Sequence, residues 1–195
     1  AHRGFSAAAP ENTLAALGAA LEAGVEAVEF DVQTAACGTP VLFHDAMLGR
    51  TTNGVGPLRR RPLAHLKVLD AGSWFDDGFS GEPIPTLVEA LALLSGRVKQ
   101  VYQDIKGYRE MEDLDRMVSL TRQAGMDDLT IYTSSDWVIM NRLRQVAPDI
   151  RRAYLVDDAD RFLNALDRAA VDDDSILSLD VRLARALPEG LAEAR

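Results

Sequence analysis

Cysteine is nearly missing from this chain: Cys37 stands alone among 195 residues. One thiol excludes an internal disulfide and a cysteine-built zinc cluster. It fits a reducing, cytoplasmic compartment. Long hydrophobic runs are missing as well. No apolar stretch reaches the roughly 18 residues a membrane span requires, and no basic start followed by an apolar stretch marks a secretory signal. Stable membrane insertion is therefore not expected. Positive charge is scarce: 21 Lys and Arg face 30 Asp and Glu, for a net charge of −9. Such a protein has no broad attraction for nucleic acid or anionic lipid. An anionic substrate would need a local positive site or a bound cation.

Low-complexity segments and long linkers are also lacking, so residues 1–195 read as one domain with a core. Its second half has a rhythm. Extended segments are expected at Val98–Ile105, Leu129–Thr133, Arg152–Val156 and Ile176–Asp180. Helical patterns lie between and after them, over Met111–Ala124, Trp137–Ala147, Ala159–Ala170 and Val181–Ala194. A strand recurring about every 25 residues predicts successive βα units and a parallel sheet, open or closed. Earlier, Leu14, Leu17 and Leu21 recur at helical spacing, with Asn12 or Thr13 as cap and Gly24 as stop. A strand over Glu26–Gln33 follows, then a short one over Pro40–His44. The gap is too short for a helical crossover, so a hairpin turning at Cys37-Gly38 joins them. Residues 46–85 lack periodicity and read as a small irregular insertion beside the mouth of the sheet. Thr86–Leu94 resumes as helix. Eight βα units usually take about 250 residues. Only about seven strand positions are countable here, so a clipped first strand and a missing eighth are expected.

The chemistry concentrates at strand ends. Glu29 and Asp31 lie two apart on a strand and project from one face, while Val28, Phe30 and Val32 point the other way. Two acids on an inner face repel unless a cation or proton intervenes. A solvated acidic edge is the plainer alternative. With the turn at Cys37-Gly38, the register pairs Asp31 with His44, and a carboxylate beside an imidazole makes a proton-transfer group. Asp104 and Lys106 repeat the two-apart polar pattern at the carboxyl end of another strand, where barrel sites form. His2-Arg3-Gly4 offers an imidazole, a planar fork suited to phosphate oxygens, and a backbone free to approach closely. Oxygen ligands favour a hard cation, Mg²⁺ or Ca²⁺, over zinc. His65, among Arg59, Arg60, Arg61 and Lys67, reads as solvated, and Cys37 as a turn residue. Glu11 reads as a first-turn helix residue. Trp74 and Phe75 read either as a cover over the site or as the insertion's own small core.

These motifs, taken together, resemble the glycerophosphodiester phosphodiesterase family. The resemblance runs through His2-Arg3-Gly4, Pro10-Glu11-Asn12-Thr13, Glu29 and Asp31, and Val41 with His44-Asp45. It continues through Arg50-Thr51-Thr52-Asn53-Gly54, Leu69-Asp70-Ala71-Gly72-Ser73-Trp74-Phe75, Ile84-Pro85-Thr86-Leu87 and Asp104-Ile105-Lys106. It implies an α/β fold, a TIM-type barrel incomplete at both ends, with 46–85 inserted after the second histidine. It further implies hydrolysis of glycerophosphodiesters to glycerol 3-phosphate and an alcohol. By motif position, His2 and His44 would be the acid–base pair. Glu29, Asp31 and Asp104 would hold one divalent cation, and Arg3 and Lys106 would bind phosphate. Either water or the substrate's own glycerol hydroxyl would attack. Many members carry Glu where this chain has Asp104, and an eighth strand bearing a Trp near the substrate. A related lysophospholipid or sphingomyelin headgroup phosphodiesterase, and a non-catalytic barrel that only binds, are the competing expectations.

Overall fold

A computed structural model of the chain describes residues 1–156, 158–172 and 175–186. Helix α1 (Leu14–Glu22) leads into strand β1 (Ala27–Thr34), and a hairpin leads to β2 (Pro40–Leu42). Residues 46–85 hold three short 3-10 turns and a one-turn helix, α2 (Leu63–Leu66). Helix α3 (Leu87–Leu94) then opens a regular alternation: β3 (Gln100–Ile105), α4 (Met111–Gln123), β4 (Thr130–Ser134), α5 (Trp137–Val146) and β5 (Arg151–Val156). It ends in α6 (Ala159–Ala170), β6 (Ile176–Leu179) and α7 (Val181–Ala186). The remainder of the helix expected to Ala194 lies outside the described residues.

The six strands form one sheet in the order β2-β1-β3-β4-β5-β6. All neighbours are parallel except β1 and β2. This is the wall of a TIM-type (β/α) barrel, open among the described residues. Alternation along the strands divides the wall. Val28, Phe30, Val32, Val101, Ile105, Tyr132 and Tyr154 face the helices and are buried against α1, α3, α4 and α5. Full burial of a side chain such as Phe30 or Leu91 contributes roughly 1.5–3 kcal/mol, so this outer layer holds the helices on. The inner face carries Glu29, and the laterally paired Asp31, Asp104 and Thr133. Asp31 is registered against Asp104, and Asp104 against Thr133.

The first residues also lean on β1. Ala1 donates to the Ala27 carbonyl and its own carbonyl accepts from Glu29 N, the pattern of a parallel bridge around Val28. His2-Arg3-Gly4 therefore starts beside the amino-terminal part of β1, on the edge that β2 covers further along. Thr13, not Asn12, caps α1, its hydroxyl accepting from Ala16 N. Glu11 precedes the helix rather than forming its first turn.

The hairpin corrects the expected register. Val32 lies opposite Leu42 and Thr34 opposite Pro40, and Phe43 N donates to the Asp31 carbonyl. Asp31 thus faces Phe43, one residue from the expected His44. The cause is loop length. Ala35 N bonds the Thr39 carbonyl and Gly38 N bonds the Ala35 carbonyl. Three residues make the loop, with Gly38 at φ +78° closing it. A three-residue loop ending in a left-handed glycine shifts the pairing by one relative to a two-residue turn. A Cβ at Gly38 would also meet the Arg109 guanidinium at 2.6 Å.

The insertion carries its own small core. Leu48, Leu58, Leu66, Ala71 and Ile84 pack against Ala35, Val41 and Phe43 of the hairpin. Lys67 ties it to α3, bonding the Ile84 carbonyl at 3.0 Å and Glu89 at 2.8 Å. Glu89 also completes a capping box with Thr86. Trp74 and Phe75 lie outside that core. They stack edge to face on one another, and Phe75 stacks likewise on Phe79. His65 is exposed, as expected.

Candidate active site

The site starts from two backbone positions held at positive φ. Arg3 sits at φ 54° and Asn12 at φ 58°, conformations that cost about 1–3 kcal/mol each in a residue other than glycine. The surrounding contacts impose them. Arg3 N donates to Glu29 Oε2 at 2.6 Å, and its carbonyl accepts from Asn12 N at 3.1 Å. Gly4, at φ 73°, lies so close to α1 that a Cβ there would meet the Ala16 backbone at 2.7 Å. The His2-Arg3-Gly4 segment is thereby folded over the acids of β1.

Glu29, Asp31 and Asp104 each offer a carboxylate oxygen, and the three oxygens lie within 4.8 Å of one another. Asp104 reaches this cluster despite its short arm because its strand neighbour is Asp31 itself. Asn12 holds Asp31 from two sides, donating to Oδ2 at 2.7 Å and accepting from its backbone N–H at 3.0 Å. Lys106 Nζ bonds Asp104 Oδ2 at 2.7 Å and lies 3.5 Å from Asp31 Oδ1. Arg3 Nε lies 3.3 Å from Asp31 Oδ2, without the alignment of a hydrogen bond, while Nη1 bonds Glu11 Oε1 at 2.8 Å.

Burial sets the electrostatics of this cluster. It is the main cause that pushes the Glu29 carboxyl up to about 8, with the Asp31 charge adding to it. Burial also holds Asp104 above its ordinary value, against the pull of Lys106. For Lys106 burial acts downward, but Asp104 and Asp31 outweigh it and keep the ammonium charged. The donor set fits a divalent cation. Asp104 Oδ1 is buried without a hydrogen-bond partner among the described residues, and clustered carboxylates that resist ionising lack a counter-charge.

The two imidazoles are placed differently. His2 is largely exposed, with Nε2 3.9 Å from Glu29 Oε2. Burial of its inner part and the Arg3 charge hold its pKa below the usual value. His44 Nδ1 lies 2.6 Å from Asp45 Oδ1. Its own carbonyl accepts from Gln33 Nε2 at 2.9 Å, so β1 fixes the backbone that carries it. The ring lines a small cleft with Glu11, Asn12 and Thr51. Five supporting residues were not given site roles from sequence: Glu11, Asn12, Gln33, Asp45 and Arg50. Gln33 had a signal, being the next inward position after Glu29 and Asp31.

Carboxylates gathered on adjacent parallel strands, flanked by Arg, Lys and imidazoles, mark the end of the sheet at which barrel active sites form. The chain belongs to the glycerophosphoryl diester phosphodiesterase family, whose family model matches residues 2–187. A glycerophosphodiester phosphodiesterase from Caldanaerobacter subterraneus subsp. tengcongensis is 44% identical over 106 residues, covering 54% of this chain and 44% of that protein. The chain spans less than half the length of the curated relatives it matches. Among solved structures, an Oleispira antarctica phosphodiesterase in complex with its product sn-glycerol-3-phosphate is 32% identical, with TM-score 0.79. That match covers 97% of this chain and 88% of the other. A glycerophosphodiester phosphodiesterase from Agrobacterium tumefaciens is 29% identical, with TM-score 0.73, covering 92% and 94%. No helix among the described residues is long and apolar enough to cross a membrane.

Proposed function

We propose that this chain hydrolyses glycerophosphodiesters to glycerol 3-phosphate and an alcohol, using one divalent cation, Mg²⁺ or Ca²⁺, and the imidazoles of His2 and His44. The observation that carries the reading is the convergence of the Glu29, Asp31 and Asp104 oxygens within 4.8 Å, with Arg3 and Lys106 beside them. The three carboxylates hold the cation, whose contribution when bound is to neutralise charge on the phosphodiester. Arg3 and Lys106 supply the remaining positive charge to the phosphate oxygens. His44 accepts the proton of the nucleophile at Nε2, because Nδ1 is turned toward Asp45; the nucleophile is water, or the glycerol hydroxyl, in which case water opens the resulting cyclic phosphate in a second step. The ionised Asp45 stabilises the imidazolium that results. His2 is the partner acid. Held below the usual imidazole pKa, its protonated form gives up a proton to the leaving alcohol more readily. Loss of either imidazole is expected to lower the rate by roughly 10²–10⁴-fold. Hydrolysis of glycerophosphocholine by His2→Ala and His44→Ala, with saturating metal, tests this. Near-normal turnover by either variant would overturn the assignment.

A further inference from the structure

Arg50 belongs to neither the acid cluster nor the imidazole pair. It sits in the 3-10 turn Leu48–Arg50 of the insertion. That turn is anchored: Leu48 is fully buried, its N–H bonds the Gly56 carbonyl, and its carbonyl accepts from Thr52 Oγ1 at 2.8 Å. The guanidinium spans two carboxylates. It meets Asp45 through Nε at 2.5 Å and Nη2 at 3.2 Å. It meets Glu11 through Nη1 at 3.0 Å and Nη2 at 2.7 Å. Glu11 Oε1 also takes Arg3 Nη1, and Asp45 Oδ1 faces His44 Nδ1. An unbroken chain of charged contacts thus runs Arg3, Glu11, Arg50, Asp45, His44.

We propose that Arg50 is a positioning residue, coupling the phosphate end of the site to the His44 imidazole through Glu11 and Asp45. The inference rests on His44 and Arg3 having the roles assigned above. Two physical points favour it. Only a planar fork with five donors can bond two carboxylates edge-on at once, and a lysine ammonium cannot reproduce that span. Asp45 is otherwise a partly exposed side chain, and Arg50 is what fixes its rotamer. With Asp45 fixed and ionised, His44 is confined to the Nδ1–H tautomer, leaving the Nε2 lone pair free to accept a proton. Without Arg50, Glu11 and Asp45 lose the cation that links them, and the imidazole regains its second tautomer.

The test is kinetic and spectroscopic, on the whole chain with saturating Mg²⁺ and glycerophosphocholine. Arg50→Ala is expected to lower kcat by roughly 10- to 100-fold, short of the loss caused by removing the imidazole itself, with a smaller change in KM. Arg50→Lys should fail to restore the rate. The ¹⁵N resonances of the His44 ring should report one tautomer in the unaltered chain and an averaged mixture in Arg50→Ala. A purely structural role would lower the melting temperature without changing the tautomer. The proposal fails if kcat of Arg50→Ala stays within about twofold of the unaltered value, or if its His44 resonances still report a single tautomer. It fails equally if Arg50→Lys restores full turnover. If Arg50→Ala does not melt cooperatively, Arg50→Gln is judged by the same two readouts. An unaltered chain inactive on glycerophosphocholine would refute the proposed function, while the tautomer measurement would still decide the clamp.

Discussion

Metal binding to this site should release a proton, and the Glu29 carboxyl sets how the affinity varies with pH. Burial and Asp31 push that carboxyl up to about 8 from an ordinary value of 4.5. Near pH 7 the metal-free protein therefore keeps Glu29 mostly protonated, and a cation must displace that proton to gain the ligand. Apparent affinity should rise roughly tenfold per pH unit up to neutrality and flatten above about pH 8. The stability of the metal-free fold runs the opposite way. Glu29 has a folded pKa above its unfolded one, so its contribution is fully present below about 4.5 and is lost as pH rises through about 8. Stabilisation by metal should grow across the same window. A cation at 100 times its Kd adds about 2.7 kcal/mol, which for a domain of this size is roughly 5–11 °C in Tm. Calorimetric titration in two buffers of different ionisation enthalpy counts the protons: close to one released near pH 7, and far fewer in Glu29→Gln. A Kd that does not vary between pH 6 and 8, with no proton released, would refute the placement of Glu29 in the ligand set.

Three further outcomes follow from other contacts. Arg152 and Asp172 form a fully buried pair on the helix side of the sheet, with Tyr154 Oη donating to the same carboxylate. Asp172→Ala strands the guanidinium and should cost roughly 3–5 kcal/mol, about 6–20 °C in Tm by thermal melt, with catalysis per folded molecule unchanged. Gly4→Ala must place a Cβ 2.7 Å from the Ala16 backbone at φ 73°. It should lose at least about 1–3 kcal/mol in urea unfolding, and activity with it, because His2 and Arg3 flank the position. Arg3→Lys keeps the charge but not the fork, and a drop in kcat/KM of roughly 10- to 100-fold is expected from the lost charged hydrogen bond.

Much of this architecture was legible in the chain because it depends on periodicities. The alternation of Val28, Phe30 and Val32 with Glu29 and Asp31 correctly assigned the two faces of β1, and the spacing of later strands gave the parallel wall. The acids were legible for the same reason, since position parity on a strand fixes which side chains share a face. The hairpin register was not, because a two-residue and a three-residue loop are both compatible with Ala36-Cys37-Gly38-Thr39, and one residue of slack changes every cross-strand pair. The supporting shell was hidden for a different reason. Glu11, Asn12 and Arg50 reach the site from irregular segments. The positive φ of Arg3 is imposed by contacts with Glu29 and Asn12, distant in sequence, and follows from no local rule, whereas Asn12 is of a residue type that tolerates it.

Charge accounting explains why these pieces belong together. With every group ionised, Glu29, Asp31 and Asp104 exceed Arg3 and Lys106 by one negative charge; with Glu29 protonated, as in the metal-free protein near pH 7, the bare site is neutral and has no net positive charge to draw a phosphodiester. A divalent cation and a monoanionic diester together add one positive charge, and the loaded site is neutral with Glu29 ionised. Cation and anion should therefore bind with positive coupling, each raising affinity for the other by the same factor. Couplings of this kind are typically about 1–3 kcal/mol, or roughly 5- to 150-fold. Titrating glycerol 3-phosphate with and without Mg²⁺, and Mg²⁺ with and without glycerol 3-phosphate, measures that factor twice. Independent binding of the two would mean that the anion contacts a part of the molecule other than this cluster.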